Sequence, residues 1–181
     1  IWDHIMAKPI LQRANIRKRF YLKTGFSSLG LGFALCQPDD ADKSIAAMKR
    51  EDEGGECEFE FCLSKLRLKP IAFGSRKTEG NDKHFHSHPG EALAASWSIV
   101  KNRHFLWGRP FTLMTVCHAL IWLMSYKWQN HEVKRLQLEL LGYWFSIANR
   151  PGRMLEDANY FSRLGEDIHI DPLLKDYLGF A

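Results

Sequence analysis

Two apolar runs separated by Gly-Phe-Ser-Ser make up "YLKTGFSSLGLGFALCQ", residues 21–37, and this pattern predicts a strand, a turn and a second strand. Gly30 and Gly32 read as a bend near the start of the second strand. Further on, "CEFEFCL" alternates, with Cys57, Phe59 and Phe61 on one face and Glu58 and Glu60 on the other, as a half-buried strand should. "LRLKPIAFGSR" predicts another strand, with Pro70 marking an edge or a bulge. The period then changes. "HPGEALAASWSIVKNRHFL" predicts a helix with Leu93, Trp97, Val100 and His104 on one face, Pro89 in its first turn, and Glu91 close to the positive end of the dipole. "PFTLMTV" predicts a strand, "HALIWLM" a short helix, residues 131–141 a helix, and "YWFSIAN" a strand ending at the Pro151-Gly152 turn. "MLEDANYFSR" closes the pattern as a helix, and residues 2–8 form a short one before Pro9.

Strands come early and helices are interspersed late, so the fold class expected is α/β, a mixed sheet with helices packed on its faces. Neither a repeat nor a linker divides the 181 residues, and one domain over 1–181 is the expectation. The longest apolar run, "FTLMTVCHALIWLM", is too short and too polar to span a bilayer, and no membrane role is expected. Four scattered cysteines and no signal-peptide layout suit a reduced, intracellular protein, cytoplasmic or nuclear.

Charge changes the picture. Residues 38–60 hold nine acids against three bases, which leaves +10 on the rest of a chain whose total is +4. The acidic segment reads as a long surface loop, available to a protein partner. The basic remainder suits a polyanion, nucleic acid first, with solubility as the plain alternative.

Candidate chemistry is sparse. The chain lacks a glycine-rich phosphate loop, a nucleophile elbow and zinc-finger spacing. His84, His86 and His88 stand two apart, as in some metal sites, but no further ligand follows at a defined spacing. Asn159 shares a helical face with Leu155 and Ser162, while Glu156 and Asp157 point elsewhere. An amide turned inward needs partners, so it marks a polar pocket.

In order, these pieces resemble the RNase H domain of the reverse transcriptases of gypsy-type LTR retrotransposons. "SLGLGFALCQ" is similar to that family's G-x-G-x-x-L-x-Q strand and "KPIAFGSRK" to its P-I-x-F-x-S-R strand. "GEALAASWSIVKNRHFLWGRPFTLMT" resembles the E-x-L-A-x-x-W-A-I helix and the strand after it, which ends in T-D. "LELLGYWFSIANRPG" and "DANYFSR" resemble the closing strand with its R-P-G turn and the A-D-x-x-S-R helix. The resemblance implies an RNase H-like fold with a mixed five-stranded sheet, a connector from the polymerase over 1–18, a 38–60 insertion and a 164–181 extension.

It also implies a chemistry. Family members hydrolyse the RNA strand of an RNA/DNA hybrid with two divalent ions about 4 Å apart, held by converging carboxylates. Carried over motif by motif, the four acids fall on Gly25, Glu91, Val116 and Asn159, and only Glu91 keeps a carboxylate. Loss of one member of a catalytic unit costs on the order of 10⁴ to 10⁶ in rate. The expectation is therefore an inactive domain with no resident metal, Mg²⁺ or Mn²⁺ entering only with residual activity. It retains hybrid or duplex binding, or a scaffold role, with Arg76, Lys77, Arg103, Lys127, Arg150 and Arg153 as candidate nucleic-acid contacts. The alternatives are a weakly active nuclease using substitute ligands, and a protein-interaction module.

Overall fold

Alternation along residues 20–26 sends Phe20 and Leu22 to one face of a strand and Tyr21 to the other, and the fold grows outward from that strand. The computed structural model describes residues 11–39, 67–80, 87–117 and 131–170. Strand β1 (Phe20–Phe26) pairs antiparallel with β2 (Gly30–Pro38), and β2 pairs antiparallel with β3 (Leu68–Lys77). On its other side β1 runs parallel to β4 (Phe111–Thr115), which runs parallel to β5 (Phe145–Asn149). These are the expected five strands of a mixed sheet. A short sixth, β6 (Ile168–Ile170), adds to β3, giving the order β5-β4-β1-β2-β3-β6.

Helices cover both faces. On one lie α1 (Ser87–Lys101), α2 (Arg103–Leu106) and α3 (His131–Leu140), over a core of Phe20, Leu22, Leu31, Phe33, Ile71, Ile99, Phe111 and Leu113. On the other lies α4 (Glu156–Ser162), over Tyr21, Ala34, Cys36, Phe73, Met114, Leu155 and Phe161. Each large apolar side chain so buried contributes about 1.5–3 kcal/mol, and this burial fixes which face each strand residue takes.

Several sequence expectations change here. Of the apolar face expected for α1, Leu93 is buried in the core and Trp97 packs against it, but Val100 and His104 are not part of it. Ala92, Ala95 and Ile99 are buried, Trp97 is half-buried against Phe33, and Val100 is 48% exposed. His104 lies past the end of α1, because Asn102 turns the chain and its side-chain Nδ2 donates to Ser98 O at 2.8 Å. Small alanines let the helix lie close on the sheet, and a larger-residue stripe would have held it away.

Gly30 and Gly32 do not make a bend either. Both lie within β2, and a Cβ on Gly32 would run into the Ala158 carbonyl oxygen and the Ser162 amide of α4. The glycines are bare so that a helix can sit on a strand. Pro70 does mark a bulge: Cys36 faces Pro70 and Leu35 faces Ala72, leaving Ile71 as the extra residue. The predicted elements at 2–8, 57–63 and 118–124 and the acidic segment from residue 40 on lie outside the described residues, whereas Pro38 ends β2 and Asp39 pairs with Lys69 at 2.9 Å.

The motif residues between strands have structural work of their own. Gln37 is fully buried and binds the entering chain through Asn15 N–H and the carbonyls of Asn15 and Lys18. Ser75 donates to Phe161 O at 2.7 Å and Ser27 to Ser162 O at 2.6 Å, so β3 and the β1–β2 turn hold the C-terminal end of α4. Replacing Gly32 by Ala should overpack this seam and lower the urea midpoint by the equivalent of about 2–3 kcal/mol. A midpoint equal to or above that of the unaltered protein contradicts the seating described.

Candidate functional site

β1, β4 and β5 run parallel, and β3 runs with them because both it and β1 oppose β2. Their C-terminal ends therefore share one end of the sheet, and the four positions singled out by sequence collect there.

Glu91 is the fifth residue of α1, not a first-turn acid, because the helix begins at Ser87 ahead of Pro89. Its carboxylate points into the protein, is only 6% exposed, and accepts from the Phe26 backbone N–H and from the Thr115 hydroxyl at 3.5 Å. Burial pushes its pKa up to about 7, against the pull of those two donors. Phe26 follows Gly25 and Thr115 precedes Val116, so Glu91 touches the neighbours of both positions.

Gly25 faces Gly32 across the β1–β2 pair, with α4 above. A Cβ on Gly25 would stand 2.8 Å from Asn159 Oδ1 and 3.2 Å from the carbonyl carbon and oxygen of Ala158. The Asn159 amide reaches the Gly152 carbonyl at 3.4 Å, a long contact. On its other side Gly152 approaches Val116, whose Cγ1 would lie 3.9 Å from a Cβ there. Val116 is 38% exposed, and its carbonyl accepts from Asn149 Nδ2 at 3.1 Å. The expected inward turn of Asn159 is thus what the structure has, and the structure brings all four positions together.

Two pairs beside these positions were not anticipated. Asp157 does not point away: its Oδ2 is 2.8 Å from Lys23 Nζ, two residues before Gly25 on β1, and the pair ties α4 to the strand. Burial works against the Lys23 ammonium, but the Asp157 carboxylate, through its charge and its hydrogen bond, helps to hold the proton, and the Lys23 pKa is raised. Burial likewise pushes the Cys36 thiol up to about 12. A lysine within an otherwise apolar strand was the available signal, since a cation in that place needs an anion across from it. Cys117 Sγ lies 3.4 Å from His88 Nδ1 at the opening of α1. His84 and His86 lie outside the described residues.

The basic candidates divide. Arg76 and Lys77 close β3, and Arg150 and Arg153 follow β5, so these four sit at the end of the sheet where Glu91 and Gly25 are. Lys77 and Arg153 are exposed and Arg76 is partly so, whereas Arg150 is 8% exposed, with Nη1 donating to Asn149 O. Burial makes Arg150 part of the turn after β5 and unsuited to phosphate contact. Arg103 lies beyond the far end of α1, whose last residue is about 15 Å along the helix from Glu91, with its guanidinium 4.6 Å over the Trp107 ring. Lys127 is outside the described residues.

Two divalent ions need several converging hard oxygens. Gly25 and Val116 supply no side-chain donor, Asn159 supplies a neutral amide, and Glu91 alone carries a carboxyl, held towards its protonated form. Among the described residues, no three His, Cys, Asp or Glu side chains gather to hold a metal. Among the described residues, those at the four positions do not fit a two-ion site.

The profile of the RNase H-like domain found in reverse transcriptase matches residues 15–143, and the chain belongs to that family. Its relatives are retrotransposon polyproteins. It is 27% identical over 160 residues to the retrovirus-related Pol polyprotein from transposon 297 of Drosophila melanogaster, covering 88% of this chain and 12% of that protein. It is 24% identical over 176 residues to the transposon Tf2-3 polyprotein of Schizosaccharomyces pombe, covering 95% and 11%. The chain thus spans about a tenth of the length of these relatives. In fold it resembles the foamy viral protease-reverse transcriptase in complex with dsDNA, with a TM-score of 0.52, 10% identity, and 78% and 25% of the two chains covered. The same viral protein in complex with RNA/DNA hybrid gives 0.50, 10% identity, and 77% and 16%.

The raised Glu91 pKa sets a pH dependence. The folded protein keeps the proton up to about pH 7, whereas the unfolded chain loses it near 4.5. Stability should therefore fall as pH rises from 4.5 to 7 and level off above, by on the order of 3 kcal/mol from this group. Urea midpoints at pH 5 and pH 8 should differ more in the unaltered protein than in Glu91→Gln. Equal differences in the two proteins contradict the assignment.

Proposed function

We propose that this is a catalytically silent RNase H-like domain of a gypsy-type reverse transcriptase that still binds RNA/DNA hybrid or duplex. One observation carries the reading: the frame that gathers the four acid positions is kept, while three of them have no carboxylate. Shape and backbone recognition of a hybrid uses the wide minor groove, 2′-hydroxyls and phosphates, none of which requires the ions. Lys77, Arg153 and Arg76 are the contacts best supported, since they stand at the end of the sheet with Gly25 and Glu91. The foamy viral structures, in complex with dsDNA and with RNA/DNA hybrid, support a nucleic-acid partner by likeness of fold. The polyprotein relatives support a domain that works beside others in one chain.

Two experiments test this. An end-labelled hybrid incubated with the domain and Mg²⁺ or Mn²⁺ should remain intact, and turnover abolished by Glu91→Gln would overturn the silent assignment. Hybrid affinity should fall steeply between 50 and 200 mM salt, tested as about a tenfold or greater loss, with Lys77→Ala and Arg153→Ala each weakening binding and flattening the slope by about one unit. Affinity independent of salt, or no binding at low salt, contradicts the nucleic-acid reading.

A further inference from the structure

We propose that the site is closed and not merely stripped: the Asn159 carboxamide occupies the space a β1 side chain would need, and Gly25 with Asn159 forms a steric lock that holds α4 down on β1. The inference rests on the reading of Gly25 and Asn159 as former acid positions, and it goes further by saying what fills the gap.

Distances carry it. A Cβ on Gly25 meets Asn159 Oδ1 at 2.8 Å, below the range real Cβ contacts occupy, and Ala158 backbone atoms at 3.2 Å. The amide can swing aside, but the Ala158 carbonyl moves only if α4 moves. Four contacts oppose that movement. Ser27 and Ser75 hold the carbonyls of Ser162 and Phe161 at 2.6 and 2.7 Å. Lys23 holds Asp157 at 2.8 Å, and Gly32 takes the helix backbone directly against the strand. The helix is short and clamped along its length, so a side chain on Gly25 has little room to gain from its adjustment.

A consequence follows for regaining function. Asparagine and aspartate have nearly the same shape, so changing Asn159→Asp leaves the crowding at Gly25 as it is. An acid at both positions would also set two carboxylates against each other in one narrow gap. Restoring the acid at Gly25 therefore meets a steric barrier before any ion can be held.

A thermal double-mutant cycle of Gly25→Ala and Asn159→Ala tests the lock without reference to activity. A strand glycine changed to alanine ordinarily gains stability. Here Gly25→Ala should lower Tm by about 3 °C or more, and in the Asn159→Ala background the loss should shrink by the share the amide imposes, while the share owed to the Ala158 backbone remains. Should Gly25→Ala alone fail to fold, recovery of a cooperative melt in the double variant gives the same answer. A Tm raised by Gly25→Ala, or an equal loss in both backgrounds, overturns the lock. Hybrid cleavage by the unaltered domain would sink the silent reading and leave this cycle's outcome untouched, so the two failures are distinguishable.

Discussion

Everything at this end of the sheet depends on how closely α4 can approach β1 and β2. Gly25 and Gly32 face each other across the strand pair, and neither has a side chain to keep the helix away. The seating brings Asn159 against Gly25, puts Asp157 within reach of Lys23, and lets Ser27 and Ser75 cap carbonyls at the helix end. A helix of seven residues has little stability of its own, so these tertiary contacts keep it in place.

The retained motif residues share a property. Gln37, Ser75, Gly30 and Gly32 each satisfy a buried polar group or permit a close approach. Gly25, Val116 and Asn159, by contrast, are positions at which the resemblance places acids and this chain has none. A cluster of carboxylates without cations repels itself, so its loss favours the folded state, whereas loss of Gln37 or Gly32 would cost packing or hydrogen bonds. Glu91 is the exception, and its cost is visible in a carboxyl driven to about 7 by burial.

Much of this was legible in the sequence, for identifiable reasons. The 21–37 hairpin, β4, β5 and the closing helix follow from alternation, period and the Pro151-Gly152 turn. What sequence reading misplaced depends on contacts from elsewhere in the chain. The α1 face was misread in part because Ala92, Ala95 and Ile99 join Leu93 against the sheet while Val100 turns to solvent. Gly30 and Gly32 read as a bend because nothing local shows a helix pressing on them. Asp157 was assigned outward because helical spacing says nothing of a lysine on the strand below. Arg150 counted as a surface cation because the sequence does not show that it is only 8% exposed in the fold. Gathering Gly25, Glu91, Val116 and Asn159 required the resemblance as well as the pattern.

The central claim is that the frame of the site remains while its donors have gone. Mn²⁺ binding to the isolated domain, followed by electron paramagnetic resonance at neutral pH, tests this most directly. The account predicts no stoichiometric binding in the micromolar range, with the spectrum of the free ion retained. One or two equivalents bound, and lost on Glu91→Gln, would contradict it.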